Sequence, residues 1–390
     1  MSEKKSKTLE VNKTTKIKRR TVLKSAAIPL VASFTSRPLT AQNSVIGRKI
    51  RVGIIGAGAN VRNVQLAGFR AIAECEVAAV ANRTLQSSQR VASEFGIPKA
   101  YGSWQELLAD EEIDAVLIGT WPYMHRDLTL ASLESGKHVM CQARMANNTE
   151  EAREMLAASL RYPDLISQLV PTSTSYVIDN VVQRLVSESY LGDVLSVEIQ
   201  RLRRTFVENP AELDWRHDVE FSGVNTLNLG STYESMMRWL GPGNQVMAQT
   251  KTHVAKRLNR DGQSVDVEIP DHVDVIYELA NSAQVHMRFS ETTGLSSGNQ
   301  TWIHGSDGTI FVDNRQNVFV GRRGDNELSP LPNPVQEQAY YRVEEEFINA
   351  ILGREEISLN SFATGVQYME WTEAVHRSAA SGRRIELPLV

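Results

Sequence analysis

A strand that leads directly into a glycine turn constrains this chain more than any other feature. The apolar, β-branched run Ile50–Ile55 is typical of a central parallel strand, and the residues Gly56, Ala57, Gly58, Ala59, Asn60 and Val61 follow it without a gap. A helix-like segment then extends to about residue 71, and a second strand-like run covers residues 76–81. This order predicts a βαβ unit, in which glycines let a pyrophosphate approach backbone N–H groups at the N-terminus of the helix.

Val61 departs from the usual dinucleotide fingerprint, because it stands where a third glycine is expected. A branched side chain there should keep the helix and the strand from packing as closely. An ordinary glycine turn remains the alternative, but the surrounding βαβ pattern favours a dinucleotide site over residues 56–61.

The end of the second strand bears on the choice of cofactor. NAD sites usually have Asp or Glu there to bind the ribose 2′-hydroxyl, whereas this chain has Asn82 followed by Arg83. An arginine near the ribose accommodates a 2′-phosphate, so the sequence favours NADP over NAD and leaves both open. The alternative is that Arg83 only begins the next helix.

The alternation of strands and helices continues to about residue 141. Helical patterns cover residues 104–108 and 125–135, and strand patterns cover residues 115–120 and 138–141. Strands that alternate with helices predict a doubly wound α/β Rossmann domain with a parallel sheet, here over residues 48–170.

Several blocks in this region carry a family resemblance. The segments 114–120 and 136–141, together with Pro122 and His125, resemble the Gfo/Idh/MocA oxidoreductases, and the likeness extends from about Ile50 to the C-terminus. The resemblance implies a nicotinamide-dependent enzyme that acts on sugars, cyclitols or their derivatives. It also implies that Thr120, Pro122, His125 and Gln142 lie near the cofactor.

After about residue 171 the sequence no longer alternates between strand and helix patterns. Strand patterns cover residues 195–203, 273–280, 283–289, 301–305 and 309–312 without helices between them, which predicts an α+β domain with a mostly antiparallel sheet over residues 171–335. Residues 244–270 and 321–334 read as loops, and helical patterns return at 337–352 and 361–380. The resemblance implies that the helices of residues 336–390 pack back on the core and that the open face of the sheet forms a homo-oligomer interface.

The residues that handle protons in this family are replaced in this chain. The family has a Glu-Lys-Pro block where Gln142, Ala143 and Arg144 stand. It also has Asp, His and Asp on a helix, at positions that Asn228, Thr232 and Ser235 occupy here. With Asn225 these last three form one polar stripe, which suggests a lined cavity but offers no group that ionises near neutral pH.

Other residues must therefore supply the acid–base chemistry. His217 is the strongest candidate, because it titrates in the right range and Asp214 or Asp218 could orient it. Tyr233 is a second candidate if its pKa is lowered, and Arg144 could stabilise negative charge on a substrate oxygen. A purely structural role is the alternative for each. Glu234 and Arg238, four residues apart on the same helix, should pair with each other.

No metal site is expected, because no His, Cys or carboxylate spacing typical of one occurs, and no nucleophile elbow is present either. Cys75 and Cys141, the 2 cysteines of the chain, lie in apolar strand-like runs and read as buried thiols.

The first 41 residues read as an export signal. They contain Lys18-Arg19-Arg20, a short apolar stretch and small residues before a cleavage point after Ala41, a pattern that resembles a twin-arginine signal peptide. The alternative is a disordered basic tail. Export by the twin-arginine machinery, which carries folded proteins, predicts a periplasmic enzyme that acquires its nucleotide in the cytoplasm.

Charge supports the separation of this leader from the folded body. Residues 1–41 carry 10 Lys and Arg against 2 Asp and Glu, whereas the remainder carries 32 against 44. The acidic body has no electrostatic drive toward nucleic acid, and no apolar run is long enough to span a membrane.

Three functions therefore remain open. The first is an NAD(P)-dependent oxidoreductase that acts on a carbohydrate-like alcohol with unusual acid–base residues, and the sequence favours it. The second is a redox-assisted glycosidase or lyase that retains its cofactor through each turnover. The third is a non-catalytic sugar- or nucleotide-binding protein, which the replaced lysine and histidine would explain.

Overall fold

The computed structural model describes residues 48–390, except residues 174, 209, 335–336 and 339–340. The predicted signal peptide lies outside the described residues.

The first domain is built on a six-stranded parallel sheet with the strand order β3-β2-β1-β4-β5-β6. Its strands are β1 Ile50–Ile55, β2 Cys75–Ala81, β3 Lys99–Tyr101, β4 Ala115–Ile118, β5 His138–Cys141 and β6 Ser167–Leu169. Its helices are α1 Leu66–Arg70, which continues a π-helical turn Val61–Gln65, then α2 Leu85–Phe95, α3 Trp104–Leu108, α4 His125–Glu134 and α5 Thr149–Arg161. This topology confirms the doubly wound α/β Rossmann domain.

The crevice at the carboxyl edge of this sheet follows from the strand order. β1 pairs with β2 on one side and with β4 on the other, and the chain leaves β1 and β4 in turns that lie next to each other. In an open parallel sheet this reversal of strand order marks the place where a ligand binds. The apolar character of β1 and β4 is explained by burial, because helices cover both faces of the sheet.

The second domain contains a nine-stranded sheet with the order β16-β15-β14-β13-β7-β12-β11-β8-β17. Its pairs are antiparallel except β7 with β12, so the predicted α+β domain with a mostly antiparallel sheet is confirmed. The strands are β7 Val194–Leu202, β8 Gly243–Lys251, β9 Lys256–Leu258, β10 Ser264–Asp266, β11 His272–Leu279, β12 Gln284–Ser290, β13 Gln300–Gly305, β14 Gly308–Val312, β15 Val318–Arg322, β16 Ser329–Leu331 and β17 Ile385–Glu386. The helices of the second half are α6 Tyr176–Ser187, α7 Val219–Ser222, α8 Leu229–Leu240, α9 Val343–Ile351 and α10 Phe362–Ser381.

Both loop predictions are wrong. Residues 244–270 contain β8, which pairs with β11 and β17, and the separate pair of β9 and β10. Gln245 and Gln249 on the outward face of β8, and Thr250 on the same face as the buried Val246 and Ala248, hide its strand pattern. Residues 321–334 contain β16, which lies at the edge of the sheet. Pro330 lacks a backbone N–H, and an edge strand tolerates this because one side of it has no neighbouring strand.

The long helix α10 joins the two domains. It packs against α5 of the first domain and against α8 and β8 of the second. Gly365 allows the close approach, because a Cβ at this position would overlap Leu169 Cδ1 and Met145 Sδ. The shorter α9 packs on α1.

We predict that Gly365→Ala destabilises the protein by about 1–3 kcal/mol through overpacking. Helix propensity alone gives the opposite sign, since alanine is favoured over glycine by about 1 kcal/mol inside a helix. Urea unfolding would measure the change, with Ala363→Gly on the exposed side of α10 as the control for propensity. A stabilised Gly365→Ala protein would contradict the packing described here.

Candidate active site

The turn after β1 has the geometry of a phosphate cradle. Gly56 has a φ of +83°, and a Cβ there would lie 2.7 Å from Thr120 Cγ2 and 2.9 Å from Thr120 N. The Ala57 N–H donates to Asn82 Oδ1 at 2.8 Å, which fixes the turn against the end of β2. Gly58, Ala59 and Asn60 are exposed at the start of the helix. Their backbone therefore faces open space where an anion can approach.

Val61 does not fill this cradle. Its side chain is buried in the core of the first domain and lies against Gly119, where a Cβ would overlap Val61 Cγ2 and Gly56 O. The missing third glycine is thus offset by a glycine in the neighbouring loop after β4. The helix widens into a π-helical turn from Val61 to Gln65, a feature that often marks functional sites.

Asn82 and Arg83 have different roles at the end of β2. The Asn82 side chain is occupied, because its oxygen accepts from Ala57 and its amide donates to Ser87 O at 3.3 Å. Arg83 is exposed and forms no ion pair within the described residues, and Thr84 rather than Arg83 caps α2. A free cation therefore stands beside the glycine turn.

His125 is buried and lies between two backbone loops rather than in the crevice. Its Nδ1 lies 2.9 Å from Arg144 O and 3.2 Å from Met145 O, and its Nε2 lies 3.0 Å from Thr120 O. Burial lowers the pKa of His125, although these carbonyl oxygens favour the protonated ring. His125 therefore positions the loops, and the expectation that it contacts the cofactor does not fit its complete burial.

The loop after β4 supplies the other predicted cofactor residues. Pro122 is buried at the first position of a 3-10 turn, Pro122–Met124. The Thr120 hydroxyl is buried and has no hydrogen-bond partner in the described structure. An unsatisfied hydroxyl beside the Gly56 turn is available to a bound ligand.

Gln142 fastens the helix after the glycine turn to the end of β5. Its Oε1 accepts from Asn60 Nδ2 at 2.9 Å, and its Nε2 donates to Gln65 Oε1 at 2.8 Å. A glutamine can do both, whereas an ionised glutamate could only accept. Gln142 therefore acts on the cradle by positioning it.

Arg144 lies at the floor of the crevice, and the peptide between Ala143 and Arg144 is cis. The side chain runs over the first turn of α8, where a Cβ on Gly230 would be 3.2 Å from Arg144 Cδ. Its Nε is buried and has no partner in the part of the chain that is described. Burial lowers the pKa of Arg144, and the nearby Arg216 lowers it further.

His217 is oriented by a residue that the sequence did not indicate. Its Nε2 pairs with Glu291 Oε2 at 3.1 Å, and its Nδ1 accepts the Asp214 N–H at 3.2 Å. The carboxylates of Asp214 and Asp218 instead accept from backbone N–H groups of Arg216 and Glu220, so neither orients the ring. No sequence signal links His217 to Glu291, which lies 74 residues further on.

Aromatic side chains bring the second domain across the crevice. Trp215 stacks on Trp121 with the ring centroids 5.6 Å apart and an angle of 12° between the rings, and Phe221 lies 5.0 Å from Trp121. The Arg216 guanidinium lies over the Trp215 ring at 4.3 Å. This stack places residues 214–218 opposite the loop after β4.

Tyr233 is a core residue, and its predicted catalytic role does not fit the structure. It stacks on Trp371 with centroids 4.4 Å apart, and its hydroxyl accepts the Gly243 N–H at 2.9 Å. Burial raises the pKa of Tyr233 to about 12, whereas the catalytic hypothesis required a lowered value.

The polar stripe does not line one helix face. α8 begins at Leu229, so Asn225 and Asn228 precede it, and Asn225 is buried with its amide bound to Ala146 O and Ser222 O. Ser235 is also buried and accepts from Ser175 Oγ. Asn228 alone among the four stripe residues is exposed.

The predicted pair of Glu234 and Arg238 is present at 2.7 Å. Arg238 also binds Asp179 Oδ2 at 2.9 Å, which makes a buried network. Burial raises the pKa of Glu234 to about 7, although Arg238 opposes this change.

Three further features hold for residues 48–390, apart from the gaps given above. No cluster of three or more His, Cys, Asp or Glu side chains could hold a metal ion. Cys75 and Cys141 are free and buried. No helix there combines the length and the apolar character needed to cross a bilayer.

We predict that Glu291→Gln lowers the free energy of unfolding by about 1–3 kcal/mol at pH 7. The hydrogen bond from His217 holds the pKa of Glu291 below its ordinary value, so the ionised form stabilises the fold above that value. This stability is lost as the pH falls through the folded-state pKa, and the variant and the wild type should converge once the pH is below it. Urea unfolding over a pH series from neutral into the acidic range measures this, with the exposed Glu327→Gln as control. An equal difference at every pH would contradict the ion pair.

Comparisons with known proteins agree with this geometry. Residues 50–166 match the family model described as the NAD-binding Rossmann fold of the GFO_IDH_MocA oxidoreductase family, and residues 183–387 match its C-terminal alpha/beta domain. Trans-1,2-dihydrobenzene-1,2-diol dehydrogenase of Xenopus laevis is 34% identical over 237 residues, which are 61% of this chain and 67% of that enzyme. The Sus scrofa enzyme of the same name is 25% identical over 69% of this chain and 76% of its own length.

Solved structures share the fold at low sequence identity. Levoglucosan dehydrogenase in complex with NADH and L-sorbose has a TM-score of 0.75 at 20% identity and covers 87% of this chain and 99% of its own. The WlbA dehydrogenase of Bordetella pertussis, in complex with NADH and UDP-GlcNAcA, has a TM-score of 0.72 at 19% identity, over 88% of this chain and 100% of its own. With its cradle for a dinucleotide and both family domains matched, the chain belongs to the Gfo/Idh/MocA family and is an oxidoreductase with an NAD-binding Rossmann domain.

Proposed function

We propose that this protein transfers a hydride between a nicotinamide dinucleotide and a sugar or sugar-derived alcohol, with acid–base residues that differ from the usual family set. The observation that carries the proposal is the open cradle at Gly56–Asn60, which lies beside the loops that end in Thr120 and Arg144. Solved relatives hold L-sorbose or UDP-GlcNAcA, and curated relatives are named for a cyclic diol. These likenesses support a ring substrate that bears hydroxyl groups.

The residues of the cradle fit a dinucleotide. Gly58 and Ala59 are exposed, and the Thr120 hydroxyl lacks a hydrogen-bond partner among the described residues. When bound, the nicotinamide accepts or returns the hydride. Backbone N–H groups of Ala59 and Asn60 would hold the pyrophosphate, since those of Ala57 and Gly58 already donate to Asn82 Oδ1 and Gly56 O. Asn82, Gln142 and His125 keep the three surrounding loops in place.

His217 is the proposed proton acceptor, with Glu291 as its partner. Because Glu291 accepts the Nε2–H, Nδ1 is the basic nitrogen of the neutral ring. Its 3.2 Å bond from the Asp214 N–H would be exchanged for one from a substrate hydroxyl. The carboxylate then stabilises the imidazolium, as in other His–carboxylate pairs. Arg144 would bind the substrate oxygen that gains negative charge.

The same crevice favours NADP. Arg83 is exposed at the end of β2, where a ribose 2′-phosphate would lie, and Asn82 presents no carboxylate to repel it. The preference for NADP is supported electrostatically, because the 2′-phosphate of NADP would give the Arg83 guanidinium an ion-pair partner that the ribose hydroxyl of NAD does not.

Localisation and assembly complete the proposal. The basic leader of residues 1–41 supports export through the twin-arginine machinery to the periplasm, with the nucleotide bound beforehand. On the outer face of the nine-stranded sheet, the exposed apolar side chains Met247 and Ile276 support a homo-oligomer. Met247 and Ile276 are direct cross-strand partners, so they form one continuous apolar surface.

Mass spectrometry of nucleotide released from the denatured protein tests the cofactor, and absorbance at 340 nm with sugars tests turnover. Reduction of the cofactor by a sugar is the expected result. Release of a product without a net absorbance change would favour the redox-assisted glycosidase or lyase. Binding without any turnover would favour the non-catalytic protein.

We predict that Arg83→Asp weakens NADPH binding at least tenfold and leaves NADH binding within twofold. The substitution removes the cation that would face the 2′-phosphate and adds a repelling charge. Fluorescence titrations with both dinucleotides measure this, and NADH serves as the internal control. Equal losses for both dinucleotides would place Arg83 outside the 2′-phosphate site.

We predict that His217→Ala lowers kcat at least tenfold, which corresponds to about 1.4 kcal/mol of barrier. The limb of the pH–rate profile that reports the protonation of this histidine should be absent in the His217→Ala variant. Glu291→Gln should shift that limb and retain more activity. An unchanged kcat with a raised KM would mean that His217 only holds residues 214–218 in place.

A further inference from the structure

Arg144 has neither a charged partner nor a hydrogen bond of its side chain within the described residues. Arg201 also lacks a charged partner, but its guanidinium donates to Gln300 O and Thr301 Oγ1. Arg238 binds Asp179 and Glu234, and Arg257 lies near Glu291. No carboxylate lies within ion-pair distance of Arg144 in the described chain, and its Nε is buried without any hydrogen bond. The Arg144 side chain is only partly buried, but a buried guanidinium N–H without an acceptor is costly, so the fold keeps a position that an anion would complete.

The groups around Arg144 do not provide that anion. Glu234 is close enough to favour the charged form of Arg144, but its Oε1 is held by Arg238 and by the Thr172 N–H. The Tyr368 hydroxyl accepts from the Met145 N–H. The Glu234 carboxylate and the Tyr368 hydroxyl therefore accept hydrogen bonds from other donors and not from Arg144.

The N-terminus of α8 adds a second attraction for an anion. This helix has 12 residues, its first turn has no acidic residue, and the Asn228 side chain makes no capping hydrogen bond. The Leu229 N–H donates to Thr226 O, so the N–H groups of Gly230 and Ser231 are the ones in this turn that would bind an acceptor. Arg144 Cδ packs against Gly230 in that same turn, so the guanidinium and the helix N-terminus share one site.

Arg216 contributes a third positive group from the other side. It lies over the Trp215 ring and has only a long contact of 3.4 Å with Asp214, in which both side chains are about half exposed. Its charge acts on Arg144 strongly enough to lower the pKa of that guanidinium. Two like charges that approach each other are stabilised when an anion binds between them.

We propose that the substrate is an anionic polyol, whose carboxylate or phosphate ester binds Arg144, the N-terminus of α8 and Arg216. This inference rests on the proposed oxidoreductase function and narrows its substrate class. Both oxyanions match the planar guanidinium in a bidentate arrangement. A neutral sugar offers Arg144 hydroxyl oxygens but no negative charge, so the crevice would favour the anionic substrate.

Isothermal titration of the full chain, loaded with its dinucleotide, tests the proposal without requiring turnover. The probes are glucuronate, glucose 6-phosphate and glucose, which share a ring and differ in charge. We expect at least one anionic probe to bind ten times more tightly than glucose, and the better anion identifies carboxylate or phosphate. Equal binding of all three would overturn the proposal.

Variants assign the effect to this site. Arg144→Met should remove the preference for the anionic probe, and Arg144→Lys should retain part of it, because lysine keeps the charge but not the planar fork. Arg161→Met, at the exposed end of α5, is the control and should bind as the wild type does. A preference that survives Arg144→Met would contradict the assignment. If Arg144→Met does not fold, Arg216→Ala and the charge-retaining Arg144→Lys still measure the contribution of each cation.

Two separate readouts distinguish failure of this inference from failure of the proposed function. If the protein binds the dinucleotide but binds the three sugars with equal affinity, only the proposed preference for an anionic substrate is contradicted. Anion binding in a protein that binds no dinucleotide would remove the oxidoreductase proposal and leave the anion site in place.

Discussion

Gly56 and Gly119 directly follow the neighbouring strands β1 and β4, and their lack of side chains lets the first βα turn approach the loop after β4. A Cβ on Gly119 would overlap Gly56 O and the Val61 side chain, and a Cβ on Gly56 would press on Thr120. Because these two loops meet, the start of the helix after Gly56 faces the crevice with its N–H groups exposed. The cofactor cradle, and the substrate pocket beside it, depend on this approach.

Buried polar side chains hold the loops in that arrangement. Asn82 bonds the glycine turn, Gln142 bonds the helix that follows it, and His125 lies between the backbones of Thr120 and Arg144. The Asn82 and Gln142 side chains are satisfied by backbone or amide partners, so these two groups add rigidity without a buried unpaired charge. They act on the chemistry by positioning other groups.

The electrostatic character of the crevice comes from substitutions relative to the family motifs. Arg144 brings a cation to the floor, and Asn228 removes an acidic group from the start of α8. The second domain adds Arg216 on the stacked Trp215 and the His217–Glu291 pair. A crevice with Arg144 and Arg216, and with an asparagine at the start of α8, suits a substrate with negative charge.

Local patterns in the sequence determined the Rossmann strands, the glycine turn and most strands of the second sheet, because burial and turn chemistry act on residues close together in the chain. They failed for β8, whose outward polar face hid the period of two, and they placed Tyr233 in the site although its ring belongs to the core. Only the tertiary structure decided that Gly119 makes room for Val61, that Glu291 pairs with His217, and that Arg144 stays without a charged partner in the described residues. The physical reason is that these contacts join segments far apart in the chain, and no local spacing specifies which distant side chains will meet.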